Sequence, residues 1–106
     1  MKNVLFVCGR GRRRSPTAEQ IFAGRPDLET ASAGISSDAD NPLTPELVDW
    51  ADVIFVMEKV QRTKLQKRFR ENLKSKRVVC LDVPDLYDFM EPALVQLLEA
   101  KVSRLL

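Results

Sequence analysis

The chain contains no histidine, and no other feature of its composition excludes as much chemistry. Without an imidazole there is no Ser-His-Asp triad, no Cys-His nucleophile pair and none of the common zinc sites built on His ligands. Cysteine is almost as scarce. Cys8 and Cys80 are the only two in 106 residues, too few for a disulfide framework and too far apart for a thiolate metal site. Long apolar runs are missing as well: Val4–Val7 is shorter than the hydrophobic region of a secretory leader, and no segment reaches membrane-spanning length. The expectation is a cytoplasmic protein with reduced thiols and no membrane association. Any nucleophile in it must be activated by something other than an imidazole.

What is present is ordinary globular material, 44% hydrophobic and 30% charged, in a length that suits one domain over residues 1–106. The net charge of +2 hides strong segregation. Residues 1–26 carry six Lys/Arg against one acid, and 27–52 carry seven acids and no base. Residues 58–77 then carry nine bases against two acids, and 82–99 carry five acids and no base. Alternating blocks of this kind do not make a uniformly basic face, which argues against nucleic acid as the partner.

Apolar runs alternate with helix starts along the chain. NVLFVC (3–8), ETASAGI (29–35), VIFVM (53–57) and RVVCLDV (77–83) read as strands, the apolar ones as buried parallel strands. Ser15-Pro16 reads as an N-cap followed by proline at the first helical position, opening SPTAEQIFAG with Ala18, Ile21 and Phe22 inward. Thr44-Pro45-Glu46 opens a short helix by the same logic, after a polar loop at 36–42. Residues 58–74 read as a basic helix with Leu65, Phe69 and Leu73 inward and its charges on a solvated face. Glu91-Pro92 opens a last helix with Leu94, Leu97, Leu98, Val102 and Leu105 apolar. Trp50, Phe55 and the mid-strand Cys80 read as core. The predicted architecture is α/β: a doubly wound, four-stranded parallel sheet with helices on both faces. Ligands of such sheets bind at the carboxyl ends of the strands, where Cys8 lies.

The stretch VLFVCGRGRRRSPTAE (4–19) therefore decides the function. It is not a Walker A loop, because no Lys stands where GxxxxGK[ST] needs one. It is not a dinucleotide fingerprint either, because Arg14 occupies the third glycine position. What survives is Cys8, five residues, then Arg14-Ser15. A tight turn from a buried strand into a helix aims successive backbone N–H groups inward and forms an anion nest at the positive end of the helix. Gly9, Arg10, Gly11, Arg12, Arg13 and Ser15 would contribute to this phosphate-binding loop. Arg14 would grip two phosphate oxygens, a geometry that suits Arg better than Lys. Helix N-termini and neighbouring arginines favour a thiolate, and the Ser15 hydroxyl would donate to it, so Cys8 would attack phosphorus unaided by histidine. Arg10, Arg12 and Arg13 read as rim charges that attract anions.

These residues resemble the low-molecular-weight protein tyrosine phosphatases, whose loop is C-x5-R-S-P after a VLFVC-like strand. SPTAEQIF resembles that family's first helix, SAG at 32–34 its second strand and DVIFVME at 52–58 its third. VPDLY at 83–87 is similar to its Asp-Pro-Tyr acid loop. The resemblance implies a phosphomonoester hydrolase that forms a cysteinyl-phosphate, with Cys8 as nucleophile and Arg14 as clamp. It implies Asp85 as general acid and then base, with Asp82 the other candidate, and Tyr87 as an aromatic wall. No metal or cofactor is required, and the substrate would be a phosphorylated protein or an aryl phosphate. Activity is expected to peak at mildly acidic pH, where the thiolate and a protonated Asp85 coexist. Departures mark a compact branch. Arg10-Gly11 replaces the usual Gly-Asn, Arg13 the second loop cysteine and Leu86 a proline, and the chain between SAG and DVIFVME is short. The contrasting reading from the same loop is a catalytically silent module that binds phosphate, a phosphoprotein or RNA.

Overall fold

Strand β1 (Lys2–Cys8) is apolar on both sides because helices cover both faces of the sheet it centres. The computed structural model describes all residues 1–106. After β1 follow α1 (Arg14–Phe22), β2 (Leu28–Gly34), α2 (Pro45–Trp50), β3 (Val53–Val56), α3 (Lys59–Arg68), β4 (Arg77–Cys80) and α4 (Pro92–Ser103). All pairings are parallel and the strand order is β2-β1-β3-β4. This is the doubly wound α/β sheet expected from the sequence.

The alternation of side chains along β1 sorts the core into two layers. Val4, Phe6 and Cys8 face α1 and α4, where they meet Phe22, Leu94, Leu98 and Val102. Phe6 stacks between Phe22 and Phe55, at 5.9 and 5.5 Å between ring centroids. Leu5 and Val7 face the other way, toward Val48 of α2 and Leu65 of α3. Burying both faces of β1 fixes its register, since a one-residue slip would exchange the two layers. Cys8 is thereby delivered to the carboxyl edge of the sheet.

Several local expectations are corrected. Ser15 is not the N-cap of α1; Arg13 is, without a side-chain cap, and Ser15 lies in the first turn with its hydroxyl turned to sulfur. Helix α3 ends at Arg68 rather than at residue 74, because Phe69 leaves helical geometry as its ring is buried. Residues beyond it continue as turns, with Leu73 N–H bonded to Phe69 O. Strand β4 stops at Cys80 rather than at residue 83. Asp82 takes φ = 54° and breaks the extended run, although Leu81 and Val83 still donate to Val56 and Met57. Cys80 is consequently a half-buried strand end and not a mid-strand core residue. Trp50 is half-buried at the margin of its layer, while Phe55 is fully buried as expected.

Candidate active site

In the order β2-β1-β3-β4 the chain leaves β1 in one direction and β3 in the other, so a crevice opens between the loops that follow these two strands. Both ends are populated. The loop 9–13 follows β1, and Glu58 follows the β3 run directly.

The loop is shaped against the end of β2. Ile35 and Ser36 donate to the carbonyls of Cys8 and Gly9, both at 2.9 Å, and Asp40 donates to Arg10 O at 3.3 Å. Gly11 adopts φ = +69°, a left-handed conformation that costs glycine nothing. Gly34 lets the two backbones touch. A Cβ on it would lie 2.7 Å from Arg10 C and 2.9 Å from Gly11 N. The SAG motif therefore acts through its glycine, by making room for the loop.

Inside the loop the sulfur of Cys8 is buried and has two polar partners. Gly11 N–H donates to Sγ at 3.2 Å, and Ser15 Oγ lies 3.0 Å from it, close enough for a hydrogen bond in either direction. The Ser15 hydroxyl also reaches Ala33 O at 3.4 Å. The leading N–H groups of α1 add the positive end of a helix dipole to the same point.

Arg14 is almost fully enclosed, its side chain 5% exposed. Its Nη1 donates to Glu58 Oε1 at 2.6 Å and to Val83 O at 2.7 Å. One nitrogen is thus committed to the scaffold, which leaves the Nε–Nη2 edge to face an anion. Asp85 Oδ1 lies 3.8 Å from Nε at that edge. Gln61, itself buried, accepts from the N–H groups of Met57 and Glu58 at 2.9 and 3.0 Å and so fixes the main chain that carries Glu58.

These groups line one cleft of about 490 Å³. Cys8, Gly9, Arg10, Arg12, Arg13 and Arg14 form its floor and one wall. Ile35 and Ser36 enter after β2, Glu58, Val60, Gln61 and Lys64 from the start of α3, and Asp85 from the loop after β4. Gly11 and Ser15 sit behind the sulfur and outside the lining. Tyr87 is outside too: it packs half-buried against the α1–α4 core layer. Asp82 faces away, beside Cys80 and Lys101. Of the two candidate acids only Asp85 shares the cleft with Cys8. No group of three His, Cys, Asp or Glu side chains gathers as a metal site.

Glu58, Gln61, Ile35 and Val60 were not foreseen as site residues. The readable signal for Glu58 was its position: an acid directly after a buried strand that neighbours the Cys8 strand.

The fold matches solved structures along nearly its whole length. A low-molecular-weight protein tyrosine phosphatase from Streptococcus pyogenes superposes with a TM-score of 0.79 at 19% identity, covering 100% of this chain and 94% of that one. Wzb from Vibrio vulnificus, solved in complex with benzylphosphonate, gives 0.79 at 25% identity over 98% of this chain and 96% of that one. The YwlE arginine phosphatase from Geobacillus stearothermophilus gives 0.77 at 24% identity over 99% and 90%. No protein-family model and no curated protein sequence matches the chain. The architecture is that of the low-molecular-weight protein tyrosine phosphatases.

Proposed function

We propose that the chain is a cysteine-dependent phosphomonoester hydrolase acting on phosphotyrosine or related aryl phosphates. The observation that carries this reading is the sulfur of Cys8, in contact with Gly11 N–H and the Ser15 hydroxyl, in a cleft it shares with an enclosed arginine and the Asp85 carboxyl beside it. A phosphoryl group set on the loop N–H groups and the Nε–Nη2 edge of Arg14 places phosphorus against Sγ. As the S–P bond forms, the P–O bond to the leaving group breaks, and Asp85 gives its proton to the departing oxygen. The Asp85 carboxylate then takes a proton from water. The water oxygen attacks phosphorus, the S–P bond breaks, and inorganic phosphate and the thiolate remain. Charge accumulates on the phosphoryl oxygens in both steps, so the loop and Arg14 supply most of the stabilisation.

Similar folds carry tyrosine phosphatases and an arginine phosphatase. The cleft lining carries Arg10, Arg12, Arg13, Arg14 and Lys64 against the carboxyls of Glu58 and Asp85. A cationic balance of this kind favours an uncharged aryl group over a second guanidinium behind the phosphate. The exposed Val60 lines the cleft and would give that group an apolar contact. The substrate we infer is a phosphorylated protein of the cytoplasm.

The test is hydrolysis of p-nitrophenyl phosphate without added metal. Turnover should be lost in Cys8→Ser, should fall by about a thousandfold in Arg14→Ala, and should be blocked by vanadate. A well-folded wild type without turnover would instead support the silent phosphate binder.

A further inference from the structure

The helix that borders the cleft carries uncompensated charge. Helix α3 holds five bases, Lys59, Arg62, Lys64, Lys67 and Arg68, and no acid. The ion pairs of the protein involve none of them. Lys64 stands three residues from Lys67 and four from Arg68, spacings at which like charges face each other and destabilise a helix. Lys67 and Arg68 lie in the last turn and complement the helix dipole, whereas Lys64, beside the cleft, has no acid in its own helix to offset it.

The cluster has a direction. Val60, Gln61 and Lys64 line the cleft. Arg68, one turn beyond Lys64, is held in place by its Nη1, which donates to Ile35 O at 2.6 Å. The row therefore leads from the cleft outward along α3. On the opposite side of the mouth the charges of Arg10 and Arg12 are partly offset by Asp38 and Asp40 at 3.7 and 3.0 Å. We propose that the Lys64–Lys67–Arg68 face of α3 is a docking surface for acidic residues flanking the phosphorylated residue of a protein substrate. The phosphorylated nature of the partner rests on the phosphatase reading; its acidity rests on the charge of α3.

A peptide fits this surface better than a nucleic acid. Neither α3 nor the cleft lining offers an aromatic side chain on which a base would stack, and the acidic segment Asp38–Asp40 at the mouth would repel a continuous phosphate backbone.

The experiment compares two phosphotyrosine peptides of equal length, one flanked by Asp and Glu and one by Asn and Gln. Their Kd values are measured by fluorescence anisotropy on Cys8→Ala, which cannot turn them over, alongside wild-type hydrolysis of p-nitrophenyl phosphate. The acidic peptide should bind about tenfold tighter at low salt, as expected for two or three exposed charge pairs. Added salt should erode that ratio, and Lys64→Gln/Lys67→Gln in the Cys8→Ala background should bring it close to one. Equal affinity for the two peptides overturns the surface, whatever the hydrolysis result. Tighter binding of a single-stranded RNA of matched charge overturns the partner class. A clear preference for the acidic peptide upholds the surface even where p-nitrophenyl phosphate is not hydrolysed, an outcome that would count against the phosphatase reading alone.

Discussion

Arg14 Nη1 lies 2.6 Å from Glu58 Oε1, and this ion pair joins the loop after β1 to the segment after β3. Because the Val83 carbonyl takes the same nitrogen, Glu58 sets the plane of the guanidinium and so which edge meets the phosphate. In Glu58→Ala α3 loses the Glu58 half of its capping box, but the main chain at residues 57 and 58 keeps its bonds to Gln61, so the fold should persist at reduced stability while the clamp loosens. The expected loss in kcat/KM is about ten- to a hundredfold, with a parallel weakening of vanadate affinity. Glu58→Gln keeps an acceptor for Nη1 and should recover most of the rate. Equal rates in Glu58→Ala and wild type would show that Val83 alone orients Arg14.

Gly34 should tolerate no side chain. A methyl group there would meet Ala39 Cβ at 2.5 Å and the Arg10–Gly11 backbone below 3.0 Å, so the loop must move. Gly34→Ala is expected to cost about 2 kcal/mol of stability and to lower phosphate affinity, both measurable by thermal unfolding with and without phosphate. Gly24→Ala is the control, since nothing lies within 4 Å of a Cβ there.

Asp85 and Asp82 separate cleanly by mutation. Asp85→Asn should slow turnover of an alkyl-leaving phosphate by about 10²–10⁴-fold, and p-nitrophenyl phosphate less, because its leaving oxygen needs little help from an acid. Asp82→Asn should leave both rates intact, since Asp82 lies outside the cleft.

Asp38 offers a pH test of the rim. The Ser36 hydroxyl, followed by the charge of Arg10, holds its carboxyl below the ordinary 3.8. A carboxyl with a depressed value favours the folded rim above its unfolded titration point and loses that contribution as pH falls through the folded one. Carboxyl NMR should therefore find Asp38 titrating below 3.8 in the wild type and moving upward in Ser36→Ala. An unchanged titration would remove Ser36 as the cause.

The sheet was legible because its signals are strong and local. Each strand is a short apolar or β-branched run, and Pro16, Pro45 and Pro92 all stand within the first turns of their helices. Cys8 and Arg14 stand out through C-x5-R and Asp85 through the likeness of VPDLY to an acid loop, and the fold brings the three to one cleft. The misses have tertiary causes. Ser15 looks like a cap in sequence, but the sulfur of Cys8 takes its hydroxyl. Phe69 looks helical until the core layer claims its ring, and Tyr87 looks like a pocket wall until the α1–α4 layer claims its own. Glu58 was invisible as a partner of Arg14 because 44 residues separate them and only the parallel pairing of β1 with β3 brings them together.

The most direct measurement of the mechanism is transfer of labelled phosphate to the protein in an acid-quenched single turnover. Wild type should carry the label on Cys8 at early times and lose it as inorganic phosphate appears, faster than the label leaves Asp85→Asn, and Cys8→Ala should carry none. Hydrolysis without a labelled protein intermediate, or label that persists in Cys8→Ala, would contradict attack by the Cys8 sulfur.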